Sequence, residues 1–118
     1  MLNTNLKQLD NDMTPIFKNI NHGGGMSEAY GISYSLSFGT FVYAHLGFTI
    51  IKTTSSGNDL LQLTDVADLR ETNNISAISR SGFTGAFKIV GKNLQTGVAI
   101  PEGEDFSFNL IIPYKKIN

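Results

Sequence analysis

The stretch GFTGAFKIVGKNLQTGVAIPEGEDFSFNLIIPY, residues 82–114, decides the fold. Phe83, Gly85, Phe87 and Ile89 alternate with Thr84, Ala86, Lys88 and Val90. Gly91-Lys92-Asn93 turns the chain back into Leu94–Ile100, and Pro101-Glu102-Gly103-Glu104-Asp105 forms a polar loop. Phe106, Phe108, Leu110 and Ile112 then line one face, with Ser107 and Asn109 on the other. A side-chain period of two, bounded by Gly, Pro, Asn and Asp, marks half-buried antiparallel strands. Such strands need a second layer to cover them.

The pattern continues upstream. Ile32, Tyr34, Leu36 and Phe38 alternate with Ser33, Ser35 and Ser37, and Gly39-Thr40 is a turn. A long strand follows from Phe41 to Ile51. Its even face, Val42, Ala44, Leu46, Phe48 and Ile50, is a core face. Its odd face, Phe41, Tyr43, His45, Gly47, Thr49 and Ile51, is too apolar for plain solvent, which places it between two layers or at a subunit interface. Thr53–Asn58 is a loop, and Asp59–Leu63 is a short extended segment. Thr64–Thr72 reads either as one helical turn capped by Thr64 or Asp65 or as an irregular crossover. Ile75–Ser79 and Gly82–Val90 are strands separated by Arg80-Ser81. About seven or eight short strands, with turns every ten or so residues, signal a sandwich or barrel.

The first residues differ. Leu2, Leu6, Leu9, Met13, Ile16 and Ile20 form a heptad-like seam that predicts a short amphipathic helix, with Pro15 as a kink or a fresh start. Asn21-His22-Gly23-Gly24-Gly25 ends it as a hinge. The expected organisation is a helical neck and hinge over residues 1–25 and a β domain over residues 26–118. The helix either packs on its own domain or serves as an oligomerising neck. With fewer than three heptads it is no stable coiled coil alone.

Composition narrows the function. At 118 residues the chain is one domain, able to bury roughly two-thirds of its unfolded surface. It has no cysteine, so no disulfide framework and no thiolate metal site. Net charge is −1 and charged residues are 16%, below the usual quarter or so, which suits an oligomer interface or a neutral ligand such as a sugar. Lysines and arginines are scattered, which argues against nucleic acid. No apolar run predicts membrane insertion.

No catalytic motif is present: no H-E-x-x-H, no G-x-S-x-G, no phosphate loop. His22 and His45 are too far apart for a His-rich metal centre. Glu102, Glu104 and Asp105 cluster in one loop, where a solvated hairpin end is expected rather than a carboxylate pair across a cleft. The chain therefore reads as a non-enzyme without cofactor or metal. Candidate contacts are Tyr43 and His45 on the long strand's odd face, Asp65 and Arg70 in the crossover, and Arg80 at a loop tip, where binding side chains tend to sit.

The order of elements over residues 32–114 resembles the C-terminal head domains of phage tail and tail-fibre receptor-binding proteins. The similarity lies in G-x-F-V-x-x-x-L-x-F-x-I within Gly39–Ile51, in S-G-x-D-L-x-x-L opening Ser56–Arg70, and in the closing Lys88–Tyr114 with its Ile100-Pro101-x-Gly103 turn. Those heads usually carry prolines in the segment matching Thr64–Arg70, and this chain has none there. The resemblance implies an all-β, antiparallel, jelly-roll-like sandwich behind a short N-terminal α-helix. It implies a homotrimer in a virion tail, assembled in a host cytoplasm beside other tail or baseplate proteins, and adhering to host cell-wall carbohydrate. In that role Tyr43 would stack on a sugar ring, while His45, Asp65, Arg70 and Arg80 would hydrogen-bond its hydroxyls or a phosphate. The alternative is a non-catalytic structural virion or appendage component, or a trimeric protein-binding jelly roll of the C1q and TNF kind.

Overall fold

The computed structural model describes residues 14–20 and 29–115. Among these residues there is no helix. Nine strands form two antiparallel sheets: β1 Ile16–Ile20, β2 Ala29–Gly31, β3 Ser33–Ser37, β4 Phe41–Ile50, β5 Asp59–Gln62, β6 Thr72–Ile78, β7 Thr84–Val90, β8 Asn93–Thr96 and β9 Asp105–Pro113.

β4 is the axis of the first sheet. β9 covers one of its edges from Phe41↔Pro113 to Thr49↔Asp105, so β2 and β3 must share the other edge. They do so in one unbroken register, with Gly31 opposite Phe48 and Tyr34 opposite His45. β1 lies outside β3, so the sheet runs β1, β2/β3, β4, β9. The second sheet runs β5-β8-β7-β6. Its central hairpin turns at Gly91-Lys92, and Gly91, at φ 62°, takes the left-handed first position that a two-residue hairpin of this kind requires. Asn74, at φ 63°, sits where the β6–β7 register shifts. Asn tolerates that conformation better than most residues, and it bends β6.

The sheets face each other across one core. The even residues of β4 are all buried, as the alternation predicts, together with Leu60, Leu61, Leu63, Phe87, Ile89 and Leu94 from the second sheet. Phe87 stands edge-on to Phe48 and Phe106, at ring distances of 6.0 and 5.3 Å. The corners are laced by backbone bonds. Arg70 N–H donates to Pro113 O and Arg80 N–H to Asp105 O, tying both ends of β6 to both ends of β9.

One expectation is corrected, and of the two readings of Thr64–Thr72 one is selected. The helix predicted through Ile20 is strand β1 over Ile16–Ile20. Residues four apart, such as Ile16 and Ile20, share a face in a strand as well as in a helix, so that spacing did not discriminate. Leu2, Leu6, Leu9, Met13 and the hinge at 21–25 lie outside the described residues. Between Thr64 and Thr72 the chain is an irregular crossover, not a helical turn. The Thr64 hydroxyl accepts from Val66 N–H as a cap would, but it also meets Ser37 Oγ at 2.9 Å, pinning the loop onto β3.

On β3 the polar residues point inward. Ser33, Ser35 and Ser37 are buried, while Tyr34, Leu36 and Phe38 face out. Register dictates this: odd residues of β3 pair with even, core-facing residues of β4. Ser33 Oγ repairs the ladder beside Ile32 by accepting from Gly47 N–H at 3.0 Å and donating to Gly47 O at 3.3 Å. The strands come so close there that a Cβ on Gly31 would lie 2.2 Å from Gly47 O. Only glycine fits.

Candidate functional site

Two regions carry side chains not used by the core. The first is the outer face of the β1–β3–β4–β9 sheet. The registers place Phe17, Leu36, Tyr43 and Ile111 in one cross-strand row, and Asn19, Tyr34, His45 and Asn109 in the next. Phe17 stacks on Tyr34 at 5.7 Å, and Tyr34 on His45 at 5.2 Å. His45 Nδ1 lies 2.8 Å from Asn109 Oδ1. An amide oxygen only accepts, so Nδ1 is the donor in this contact. Phe17 is 61% exposed, Ile111 69% and Ile32, beside the second row, 81%. Neither row contains a charged residue.

The second region is a cleft where the β6–β7 and β8–β9 loops meet. It is a solvent-open depression of about 340 Å³ between Thr49, Arg80, Ser81, Gly103, Glu104 and Asp105. A further groove of about 250 Å³ lies beyond Arg80, against Ile78, Phe106 and Ser107. Ser79 and Ser81 each donate a hydroxyl hydrogen to Glu104 Oε1. These two donors hold the Glu104 carboxyl below its ordinary value, so it stays ionised. Both hydroxyl hydrogens being committed, the 3.1 Å Ser79–Ser81 contact carries none. Thr49 Oγ1 donates to Asp105 Oδ1 at 3.2 Å. The Arg80 side chain is 88% exposed, and its Nη1 lies 4.0 Å from Asp105 Oδ2.

The structure brings two of the five predicted site residues together. Tyr43 and His45 share the outer sheet face, two residues apart on β4. Asp65 lies in the crossover, where it accepts from Lys18 Nζ of β1 at 3.0 Å and from Gln62 Nε2 at 2.6 Å. Lys18 holds the Asp65 carboxyl below its ordinary value against a partial desolvation cost, with Gln62 and the charge of Lys92 assisting. Arg70 precedes β6 and is exposed, at the opposite end of that strand from Arg80. Asp65, Arg70 and Arg80 therefore occupy three separate places.

The sequence reading missed the partners of Arg80. The loop holding Glu102, Glu104 and Asp105 is not the expected hairpin end, because it carries the chain from β8 of one sheet to β9 of the other. Glu102 is exposed, but Glu104 and Asp105 are half-buried and hydrogen-bonded. The spacing Ser79-Arg80-Ser81 was the available signal, since it sets two hydroxyls around one cation at a loop tip. What lies across from them is set by the β6–β9 corner, which no local pattern reports.

Among the described residues no group of three or more His, Asp and Glu is placed to hold a metal ion, and no helix is long and apolar enough to cross a membrane. Comparison with family models, with curated proteins and with solved structures finds no match to this chain.

Proposed function

We propose that this chain is the jelly-roll-like head of a phage tail receptor-binding protein, a non-catalytic module that assembles as a trimer and adheres to host cell-surface saccharide. The observation that carries the reading is the pair of uncharged cross-strand rows, Phe17–Leu36–Tyr43–Ile111 and Asn19–Tyr34–His45–Asn109, on the outer face of the β1–β3–β4–β9 sheet. A sheet with one face in its core usually turns a polar face to water. Here Phe17, Tyr34, Leu36, Tyr43, His45 and Ile111 stand there instead. Large contiguous apolar surface of this kind marks an interaction site. A second copy meets no like-charge repulsion across these two rows; the carboxylate of Asp105 lies farther along the face, opposite Thr49. The nine-pair β4–β9 register and four strand lines make a flat area on the order of 500 Å². That is less than the roughly 800 Å² each partner contributes to a standard interface. The rims, including Ile32 and the stacked Phe38–Phe41 pair, must therefore contribute too.

In this reading Tyr43 and His45 serve assembly, and a sugar reaches them only in a crevice between subunits. Avidity from three copies compensates weak single sites. A purely structural virion component, or a protein-binding trimeric jelly roll, would use the same face and bind no saccharide.

The test is light scattering on the full chain and on Phe17→Glu with Ile111→Glu. Both side chains are mostly exposed, so the fold should survive, and the expected result is a trimer that the double variant converts to monomer with unchanged circular dichroism. A monomeric parent at 100 μM or so, a concentration ample for micromolar association, would sink the assembly reading. A trimeric double variant would move assembly to another surface.

A further inference from the structure

The structure assigns the cleft at Arg80 as the saccharide-contacting site of each subunit, taking a neutral pyranose through its vicinal hydroxyls. This rests on the adhesin reading above and goes beyond it in naming one site within a single chain, away from Tyr43 and His45. A sugar hydroxyl both donates and accepts, so a site for a pair of them needs donors and acceptors side by side. The cleft supplies both. Glu104 Oε1 is saturated by Ser79 and Ser81, which fixes the carboxylate, while among the described residues no donor reaches Oε2. Asp105 Oδ1 is occupied by Thr49, and among the described residues Oδ2 has only the long approach of Arg80. Among the described residues the guanidinium has no other side-chain partner.

These groups are held in advance. Ser79 is buried and its Oγ accepts from Phe83 N–H, Arg80 N–H is bound to Asp105 O, and Ile50 brackets the other loop by donating to Glu104 O and accepting from Gly103 N–H. A carboxylate fixed by hydroxyls on one oxygen presents the other without rearrangement, which lowers the ordering cost of binding. The cleft is open, and its volume of about 340 Å³ lies at the low end for a small-ligand site; the adjoining groove adds the exposed Ile78 as an apolar surface for the carbon face of a ring. Two carboxylates against one guanidinium leave the site with a net negative charge. That disfavours phosphate-bearing glycans and favours neutral sugars.

The experiment is amide-detected NMR titration of the full chain with galactose, N-acetylglucosamine and glycerol 1-phosphate, each to tens of millimolar. The expected result is a saturable response of the Ser79–Gly82 and Gly103–Asp105 amides to at least one neutral sugar. Dissociation constants should be around 1 mM, with no response to glycerol 1-phosphate. Arg80→Ala and Glu104→Gln should each weaken binding tenfold or more while leaving the remaining spectrum unchanged. A response to the phosphate alone would overturn the neutral-pyranose assignment. A neutral-sugar response centred on Tyr43 and His45 would overturn the cleft and leave the adhesin reading standing. No response to any of the three would overturn the cleft; an unshifted assembly in the same samples would then leave the chain as a structural trimer.

Discussion

Individual buried hydroxyls on β3 face one problem and meet it differently. Ser33 Oγ serves both backbone groups of Gly47, Ser37 Oγ meets Thr64, and Ser35 Oγ is buried without a partner among the described residues. Removing a satisfied hydroxyl strands its partners, whereas removing an orphan relieves a desolvation cost. Ser33→Ala is therefore expected to lose about 1–2 kcal/mol, and Ser35→Ala to be neutral or to gain up to about 1 kcal/mol. Urea midpoints decide it, and a marked loss for Ser35→Ala would mean that solvent held between the sheets satisfies that hydroxyl. Gly31→Ala should lose about 2 kcal/mol or more, because the clashing atom is backbone and cannot rotate away.

Elements meet at loops whose charges are set by neighbours from other strands. Glu104 is held by hydroxyls of the β6–β7 loop, and its carboxyl lies below its ordinary value. A depressed carboxylate contributes stability that is complete above its unfolded value and lost as pH falls through the folded one. The thermal midpoint should therefore drop as pH falls below about 4, and Glu104→Gln should flatten part of that slope. A slope unaltered by the substitution would show that Ser79 and Ser81 do not hold the charged form. Asp65 acts in the same direction through Lys18. That pair is solvent-exposed on the carboxylate side, so Asp65→Asn should cost less than about 1 kcal/mol at neutral pH.

At the scale of the molecule, the outer sheet face links stability to concentration. If copies associate through it, the thermal midpoint rises with protein concentration. Tyr43→Ala with His45→Ala should shrink that dependence and leave sugar binding at Arg80 intact. A midpoint independent of concentration in the parent chain would show that Tyr43 and His45 serve no assembly.

Strand positions from β3 to β9, the buried even face of β4 and the hairpin turns were legible in the sequence. They are written in period-two alternation and in Gly, Pro and Asn positions, which are local properties of the chain. The all-β class followed from them. The identity of β1 did not, because residues four apart share a face in either conformation. Nor did the inward turn of Ser33, Ser35 and Ser37, since it is register against β4, a long-range pairing, that selects which face of β3 meets the core. The same holds for function. Tyr43 and His45 were visible as a two-faced strand and Arg80 as a loop-tip cation. Only the β6–β9 corner sets Glu104 and Asp105 beside Arg80, and only the four-strand sheet joins Phe17, Tyr34, His45 and Ile111 into one surface. Composition and alternation determine what each strand is made of; tertiary pairing decides which side chains become neighbours.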